Sequence, residues 1–144
     1  MARDTSRASA LRSRQRGYPL SRMRLNYLEF DYTEDADGVG TFDALAATAP
    51  THHVAVLAEV ASVLAWAQQA FEGQHAPLDD GGEWDYDLQG WREFSALDTL
   101  SFDHHSSEIS VQAQAAGVAR HTVSLSITGT EGFCAAFRQR FDLP

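Results

Sequence analysis

The stretch HTVSLSITGTEGFCAAFRQRF, residues 121–141, contains the two repeating patterns that decide the fold. Its first half alternates serine and threonine with apolar residues, which are Val123, Leu125 and Ile127. That period of two predicts a strand with one buried face. Its second half carries phenylalanine at every fourth position: Phe133, Phe137 and Phe141. That spacing predicts a short C-terminal helix with one apolar stripe, for which Thr130 is a suitable N-cap.

A second helix, longer and more apolar, is predicted over residues 51–71. Only Glu59 and Ser62 are polar between positions 54 and 67. Helical spacing gives two apolar flanks on either side of a narrow polar stripe, so the helix should be covered on more than one side. We expect a sheet on one flank and a second helix, or a second subunit in a homodimer, on the other. Trp66 lies on the polar stripe, and is predicted to be a lone surface aromatic or an interface anchor.

Alternating apolar and polar residues predict the strands. Residues 25–33 and 39–47 should form a hairpin around an Asp-rich turn, and residues 108–113 and 121–128 a second hairpin. Two further strands are predicted at 83–91 and 97–103. The order ββα-ββββ-α indicates an α+β fold, a two-layer sandwich with a mainly antiparallel sheet of five to six strands. Both helices should lie on one face, and the other face should be wet and acidic.

Charge divides the chain into two parts, because there is no lysine and seven of the 11 arginines lie between Arg3 and Arg24. Residues 1–22 carry six arginines against Asp4, a net charge of +5. Residues 23–144 carry five arginines against 19 carboxylates, a net charge of −14, and are predicted to be a single acidic domain. We interpret 1–22 as a disordered basic tail or a mis-assigned start, with a transit peptide or an anion-binding arm as alternatives.

These totals exclude several classes of function. An acidic body repels the phosphates of nucleic acids, and the longest apolar stretch, residues 54–67, is too short to span a membrane. The single Cys134 excludes an internal disulfide and a multi-cysteine metal site. Without lysine, no P-loop or Schiff-base chemistry is available. The composition suits a cytoplasmic protein from a GC-rich bacterium, and no cofactor and no catalytic residue is predicted.

The first functional hypothesis is a non-enzymatic protein-binding domain of the inhibitor, immunity or adaptor kind. It rests on carboxylates that alternate along the predicted strands, most densely between residues 79 and 87. Such an acidic sheet face would attract and orient a basic protein. The residues expected to bind the partner are Glu29, Asp31, Asp43, Glu83, Asp85 and Asp87. A solvated face that only aids solubility is the simpler alternative.

Two other hypotheses remain open. The first is a small-molecule-binding domain or an enzyme with an aromatic-lined cleft between sheet and helices, formed by Trp84, Tyr86, Trp91 and Phe94. The second is a metal site formed by Asp103, His104 and His105. Adjacent histidines in an extended segment point in opposite directions, so at most one of His104 and His105 could face a shared metal. Plain packing of the aromatic residues and turn formation by the Asp-His-His sequence are the simpler alternatives.

Overall fold

The computed structural model describes residues 22–144, so the expectation for residues 1–22 lies, apart from Arg22, outside the described residues. The order of strands and helices is ββα-ββββ-α, as predicted, and the chain is an α+β protein. The strands are β1 (Asp31–Glu34), β2 (Gly40–Thr48), β3 (Trp84–Glu93), β4 (Ala96–Asp103), β5 (Glu108–Ala116) and β6 (Arg120–Gly129). The α-helices are α1 (Pro50–Ala70) and α2 (Glu131–Phe141). A single 3-10 turn, Leu78–Asp80, lies in the loop before β3.

Four of the strands form one antiparallel sheet in the order β1-β2-β6-β3. Strand β6 pairs along its whole length with β3 and from His121 to Gly129 with β2, and its alternating sequence buries Val123, Leu125 and Ile127 on the helix side. The sheet is narrower than the five to six strands expected, because β4 and β5 form a separate two-stranded sheet. The predicted pairing of 108–113 with 121–128 is therefore wrong: β5 pairs with β4.

Both helices pack on the same side of the four-stranded sheet. The buried face of α1 consists of Val56, Glu59, Val60, Val63 and Ala67. Helix α2 buries its predicted Phe stripe, and the Phe137 ring lies 4.4 Å from the ring of Phe42 in β2. Thr130 caps α2 as predicted, accepting a hydrogen bond from the Phe133 N–H. At the start of α1, Ala49 is the N-cap residue, and Pro50 occupies the first turn, where its missing N–H costs nothing.

The segment before β1 bends at Asn26 and Tyr27 and is not a strand until Asp31. The backbone N–H groups of Tyr27 and Leu28 donate to Oε2 of Glu59 at 2.8 Å each, and that of Asn26 donates to Oε1. Glu59 is 7% exposed, so a buried carboxylate in α1 is the acceptor for three consecutive amides of this bend. This contact holds the segment across the helix.

Strands β4 and β5 extend the β3–β6 pair beyond the body of the protein. The ladder passes from the pair Glu93–Arg120 through a hydrogen bond from the Gly117 N–H to the Ser95 carbonyl (2.7 Å) to the pair Ala96–Ala116. Every residue of β4 and β5 is exposed. We call β4, β5 and the turn between them the arm.

Candidate functional site

The side of the four-stranded sheet that faces away from the helices, here called the outer face, carries the predicted acidic surface. In β6 the buried residues are odd-numbered, so Thr122, Ser124, Ser126 and Thr128 point outward. Residues paired across a ladder share a face. The register therefore places three further groups of outward residues: Asp31 and Thr33 in β1, Thr41, Asp43 and Leu45 in β2, and Asp85, Asp87, Gln89 and Trp91 in β3.

Three carboxylates form one row across the outer face. Asp31 pairs with Asp43, Asp43 pairs with Ser126, and Ser126 pairs with Asp87. All three aspartates are exposed. Neighbouring strands are about 4.8 Å apart, so these carboxylates lie close enough to reinforce one another's negative potential. Within residues 22–144, none of them forms an ion pair. Their hydrogen-bond donors are neutral: the Ser126 hydroxyl to Asp43 at 2.6 Å and the Gln89 amide to Asp87 at 2.8 Å.

Glu29 extends this row on one side. It lines an open depression of about 600 Å³ together with Asp31 and Asp43, and Leu45 and Ser124 form part of the same wall. Four of the six residues predicted to bind a partner are therefore brought together: Glu29, Asp31, Asp43 and Asp87.

The remaining two predicted residues, Glu83 and Asp85, are occupied by contacts within the chain. Glu83 accepts a hydrogen bond from the hydroxyl of Thr130, and its carbonyl accepts the Thr130 N–H at 3.0 Å, so it fixes the start of α2. Asp85 lies 2.9 Å from Nε2 of His75. These contacts tie the beginning of β3 to α2 and to the preceding loop.

The outer face also carries two large apolar side chains. Trp91 is 46% exposed and Leu45 is 63% exposed. Trp91 pairs with Thr122, and Leu45 pairs with Ser124 two residues further along β6, so the two side chains are diagonal neighbours across that strand. The outer face therefore combines an acidic row with an apolar patch at the end nearer the arm.

The predicted aromatic cleft is divided by the sheet. Trp84 and Tyr86 lie on the helix side and line a cleft of about 350 Å³ with Leu64, Gln68, Phe71, Gly73 and His75. The His75 ring stacks on the Tyr86 ring at 5.3 Å. Trp91 lies on the outer face, and Phe94 lies beyond β3 at the base of the arm, 59% exposed. The cleft thus contains two of the four predicted residues, with His75 as an addition.

The three weak metal candidates lie at the tip of the arm. The Asp103 carboxylate accepts the backbone N–H of His105 at 2.8 Å and that of Ser106 at 3.2 Å, which makes it a turn-forming residue. The His104 ring contacts the edge of Phe102 at 5.0 Å. In the part of the chain that the structure describes, no group of three or more metal-ligating side chains comes together.

Trp66 lies between the two helices. Its indole contacts the rings of Phe133, Phe137 and Phe141 in α2 at 5.5–6.0 Å. Helical spacing placed Trp66 on the polar stripe of α1, but in the structure α2 packs against its indole.

Two groups near the start of β2 have raised pKa values. Burial raises the pKa of the Cys134 thiol, so the thiolate that a nucleophile requires is disfavoured. Burial, together with the hydrogen bond to Glu34, raises the pKa of Tyr32 to about 12. The Arg138 guanidinium lies 3.9 Å from the centre of the Tyr32 ring. These contacts describe a packed, structural cluster.

Comparison with known proteins returns no matching protein-family model, no matching curated protein and no matching solved structure. None of the helices among residues 22–144 is long and apolar enough to cross a membrane.

Two features were missed by the sequence patterns. Glu59 could have been suspected as the only carboxylate within an apolar helix, whereas no local signal distinguishes the arm from strands of the main sheet.

Proposed function

We propose that this protein is a small, non-enzymatic, cytoplasmic bacterial protein that binds a basic protein partner through its outer face. The observation that carries the proposal is a row of three aspartates across three strands, all exposed and, within residues 22–144, without an ion-pair partner. Carboxylates arranged in this way raise the local negative potential, which speeds encounter with a cationic surface and fixes its orientation.

The apolar end of the outer face supports the same function. Trp is the residue most often found at the energetic centre of protein interfaces. Trp91 and Leu45 lie on the same face as the acidic row and are about half exposed or more. A partner with arginines or lysines beside an apolar pocket would be held by the tryptophan and oriented by the aspartates. A homodimer is compatible with this arrangement, because the outer face is remote from the helices.

The test replaces aspartates by asparagine, which removes the negative charge and keeps the shape of the side chain. The triple variant Asp31→Asn, Asp43→Asn, Asp87→Asn removes the row. The control, Asp79→Asn, Asp80→Asn, Asp98→Asn, changes the net charge equally in the loop before β3 and in the arm. Partners are isolated on the wild-type protein from its own host, and association is then measured against salt. We expect the row variant to lower the association rate about tenfold or more and to flatten its salt dependence. Equal behaviour of the two variants would contradict the proposal.

The cleft beside β3 supports a second candidate function, the binding of a small aromatic molecule. It brings Trp84, Tyr86 and His75 together against Leu64 and Phe71 of the helix side. Stacked rings of this kind suit a planar apolar ligand. A fluorescence screen of aromatic compounds tests it: the tryptophan signal should respond in the wild type and lose the response in Tyr86→Ala, while Trp91→Phe keeps it. A response that survives Tyr86→Ala would place the ligand elsewhere.

A further inference from the structure

The arm has one apolar and one polar face. Leu100 pairs with Val111 and Phe102 pairs with Ile109, so these four side chains share a face. They are exposed by 63%, 61%, 49% and 59%, respectively. The opposite face carries Thr99, Ser101, Ser110, Gln112 and Gln114, with Leu97 (74% exposed) at its base. An isolated two-stranded ribbon is marginally stable in water, and an exposed apolar face of this kind marks a surface that packs against another element or molecule.

The apolar face of the arm continues the helix side of the sheet. From the pair Glu93–Arg120 to the pair Ala96–Ala116, the chain covers three residues on the β3–β4 side and four on the β5–β6 side. From Ala96–Ala116 to Asp98–Ala113, it covers two residues on the β4 side and three on the β5 side. Both extra residues thus lie in the returning strand. Counting through residues 94 and 95, which belong to neither strand, alternation places Leu100 and Phe102 on the side of Trp84 and Tyr86. Helix α1 covers this side in the body, but no helix of residues 22–144 covers it in the arm.

Helix α1 has the complementary surface. At 100° per residue, its buried residues Val56, Val60, Val63 and Ala67 centre on one direction. The opposite direction holds a second apolar stripe, all of it exposed: Val54, Leu57, Ala58, Ala61 and Ala65. Val54 is 76% and Leu57 44% exposed. A helix that is apolar on two opposite faces is typical of one buried between two layers.

We propose that the covering layer is the arm of a second copy, in a two-fold dimer in which each arm lies on the α1 stripe of its partner. The contact repeats the helix-on-sheet packing of the body. It also covers the apolar face of the arm and the exposed stripe of α1 in each chain at once, as a closed two-fold contact requires.

The arm and α1 are of similar length. The His53 ring stacks on His121 at the beginning of β6 (4.0 Å), so the N-terminal end of α1 lies where the arm begins. The arm and the helix then extend in opposite directions from that point. The eight residues of β4 span ~26 Å at 3.3 Å each, and the 21 residues of α1 span ~32 Å at 1.5 Å each. An antiparallel pair of copies would place each arm along a helix of similar length.

The area is sufficient for a specific contact. Large apolar side chains expose on the order of 100 Å² each at these fractions, so four from the arm and two from the stripe supply roughly 600 Å² per copy. Ala58, Ala61 and Ala65 and the strand backbone add to this. A standard interface buries ~800 Å² per partner. The acidic outer face remains uncovered in this dimer, so the inference stands independently of the proposed function.

The first test is the mass in solution. Sedimentation of the full chain at tens of micromolar should give twice the 15.8 kDa chain mass. Replacing Leu100, Phe102, Ile109 and Val111 by threonine keeps strand propensity, and should raise the dimer dissociation constant about a hundredfold or more. The control Ser101→Thr, Ser110→Thr changes the polar face of the same ribbon and should have no effect. A monomeric wild type, or equal dissociation constants for both variants, would overturn the proposal.

The second test identifies the contacting surfaces, and does not depend on a variant that weakens the dimer. Ala65→Cys and Ile109→Cys are prepared separately and mixed, and a short bismaleimide is added; Cys134 is buried and should not react. A covalent dimer should form in the mixture and not with either variant alone. Cross-linking of Ile109→Cys with itself would show arm packed on arm, and no cross-link in any sample would exclude the proposed contact.

Discussion

At the residue scale, Glu59 shows how a single side chain can fix a bend of the backbone. Three consecutive backbone N–H groups converge on one nearly buried carboxylate. Hydrogen bonds to a charged acceptor are about twice as strong as neutral ones, and each amide left without a partner would carry its own desolvation cost. The contact therefore determines where the segment before β1 crosses α1.

Removing that carboxylate should be among the most damaging single changes to stability. We expect Glu59→Ala to lower the free energy of unfolding by about 3 kcal/mol or more, since it leaves three amides unpaired. Glu59→Gln should cost less, because the amide oxygen still accepts. Urea denaturation measures both. Glu72→Ala, which removes an exposed carboxylate just beyond the same helix, is the control and should stay within about 0.5 kcal/mol of wild type.

His121 gives the protein a pH-dependent stability. Burial, the neighbouring His53 and the charge of Arg92 together lower the pKa of His121 below its ordinary 6.5. The unfolded chain therefore binds this proton more readily, and stability is lost as the pH falls through 6.5 towards the folded-state pKa. The melting temperature of wild type should drop between about pH 7.5 and about pH 5.5. His121→Gln should reduce the drop, and an equal drop in both proteins would exclude this origin.

At the element scale, the parts with a clear period are the parts that the sequence predicts well. Strand β6 and helix α2 lie where the stretch 121–141 puts them, because one buried face determines both. Pairing was harder to predict. Strands β5 and β6 are adjacent in sequence and both alternate, but they follow one another along the same side of the ladder, opposite β4 and β3. The chain therefore reverses between β4 and β5 and not between β5 and β6, and alternation alone does not show where it reverses.

The cap of α2 is a local feature that can be tested by itself. The Thr130 hydroxyl accepts the Phe133 N–H and donates to Glu83, so it ties α2 to the start of β3. Thr130→Ala should lower the free energy of unfolding by about 1–2 kcal/mol, the range found for caps of this type. Thr130→Ser keeps the hydroxyl and should be close to wild type. A denaturation curve for Thr130→Ala that coincides with wild type would show that the cap contributes nothing.

The candidate site could be predicted only in part. Alternation was enough to place Asp31, Asp43 and Asp87 on one face, because every second residue of a strand points the same way. It could not show that Glu83 and Asp85 would be occupied by Thr130 and His75, which come from other elements. Alternation also could not show that Trp84 and Trp91 lie on opposite faces of the sheet. Their odd spacing has that result only if one strand runs without interruption from Trp84 to Trp91.

At the scale of the whole molecule, net charge opposes compactness. The chain carries a net charge of −9, and its carboxylates are concentrated in the described domain. Salt screens such repulsion over about 8 Å at physiological ionic strength. The melting temperature should therefore rise when sodium chloride is added to a dilute buffer. The Asp31→Asn, Asp43→Asn, Asp87→Asn variant should melt higher in dilute buffer and respond less to salt. A melting temperature that falls with salt would show that attractive ion pairs dominate.

The orientation of the outer face has a consequence for stoichiometry. In the proposed dimer, two copies cover each other's arms with the helices between them, and their acidic faces point away from each other, on opposite surfaces of the pair. One small partner of the proposed kind could not contact both faces, but two partner molecules could bind one dimer, and a partner with two basic sites could link dimers into chains. Binding would then be bivalent, and the strength of attachment to a surface carrying many partner copies would exceed that of a single face.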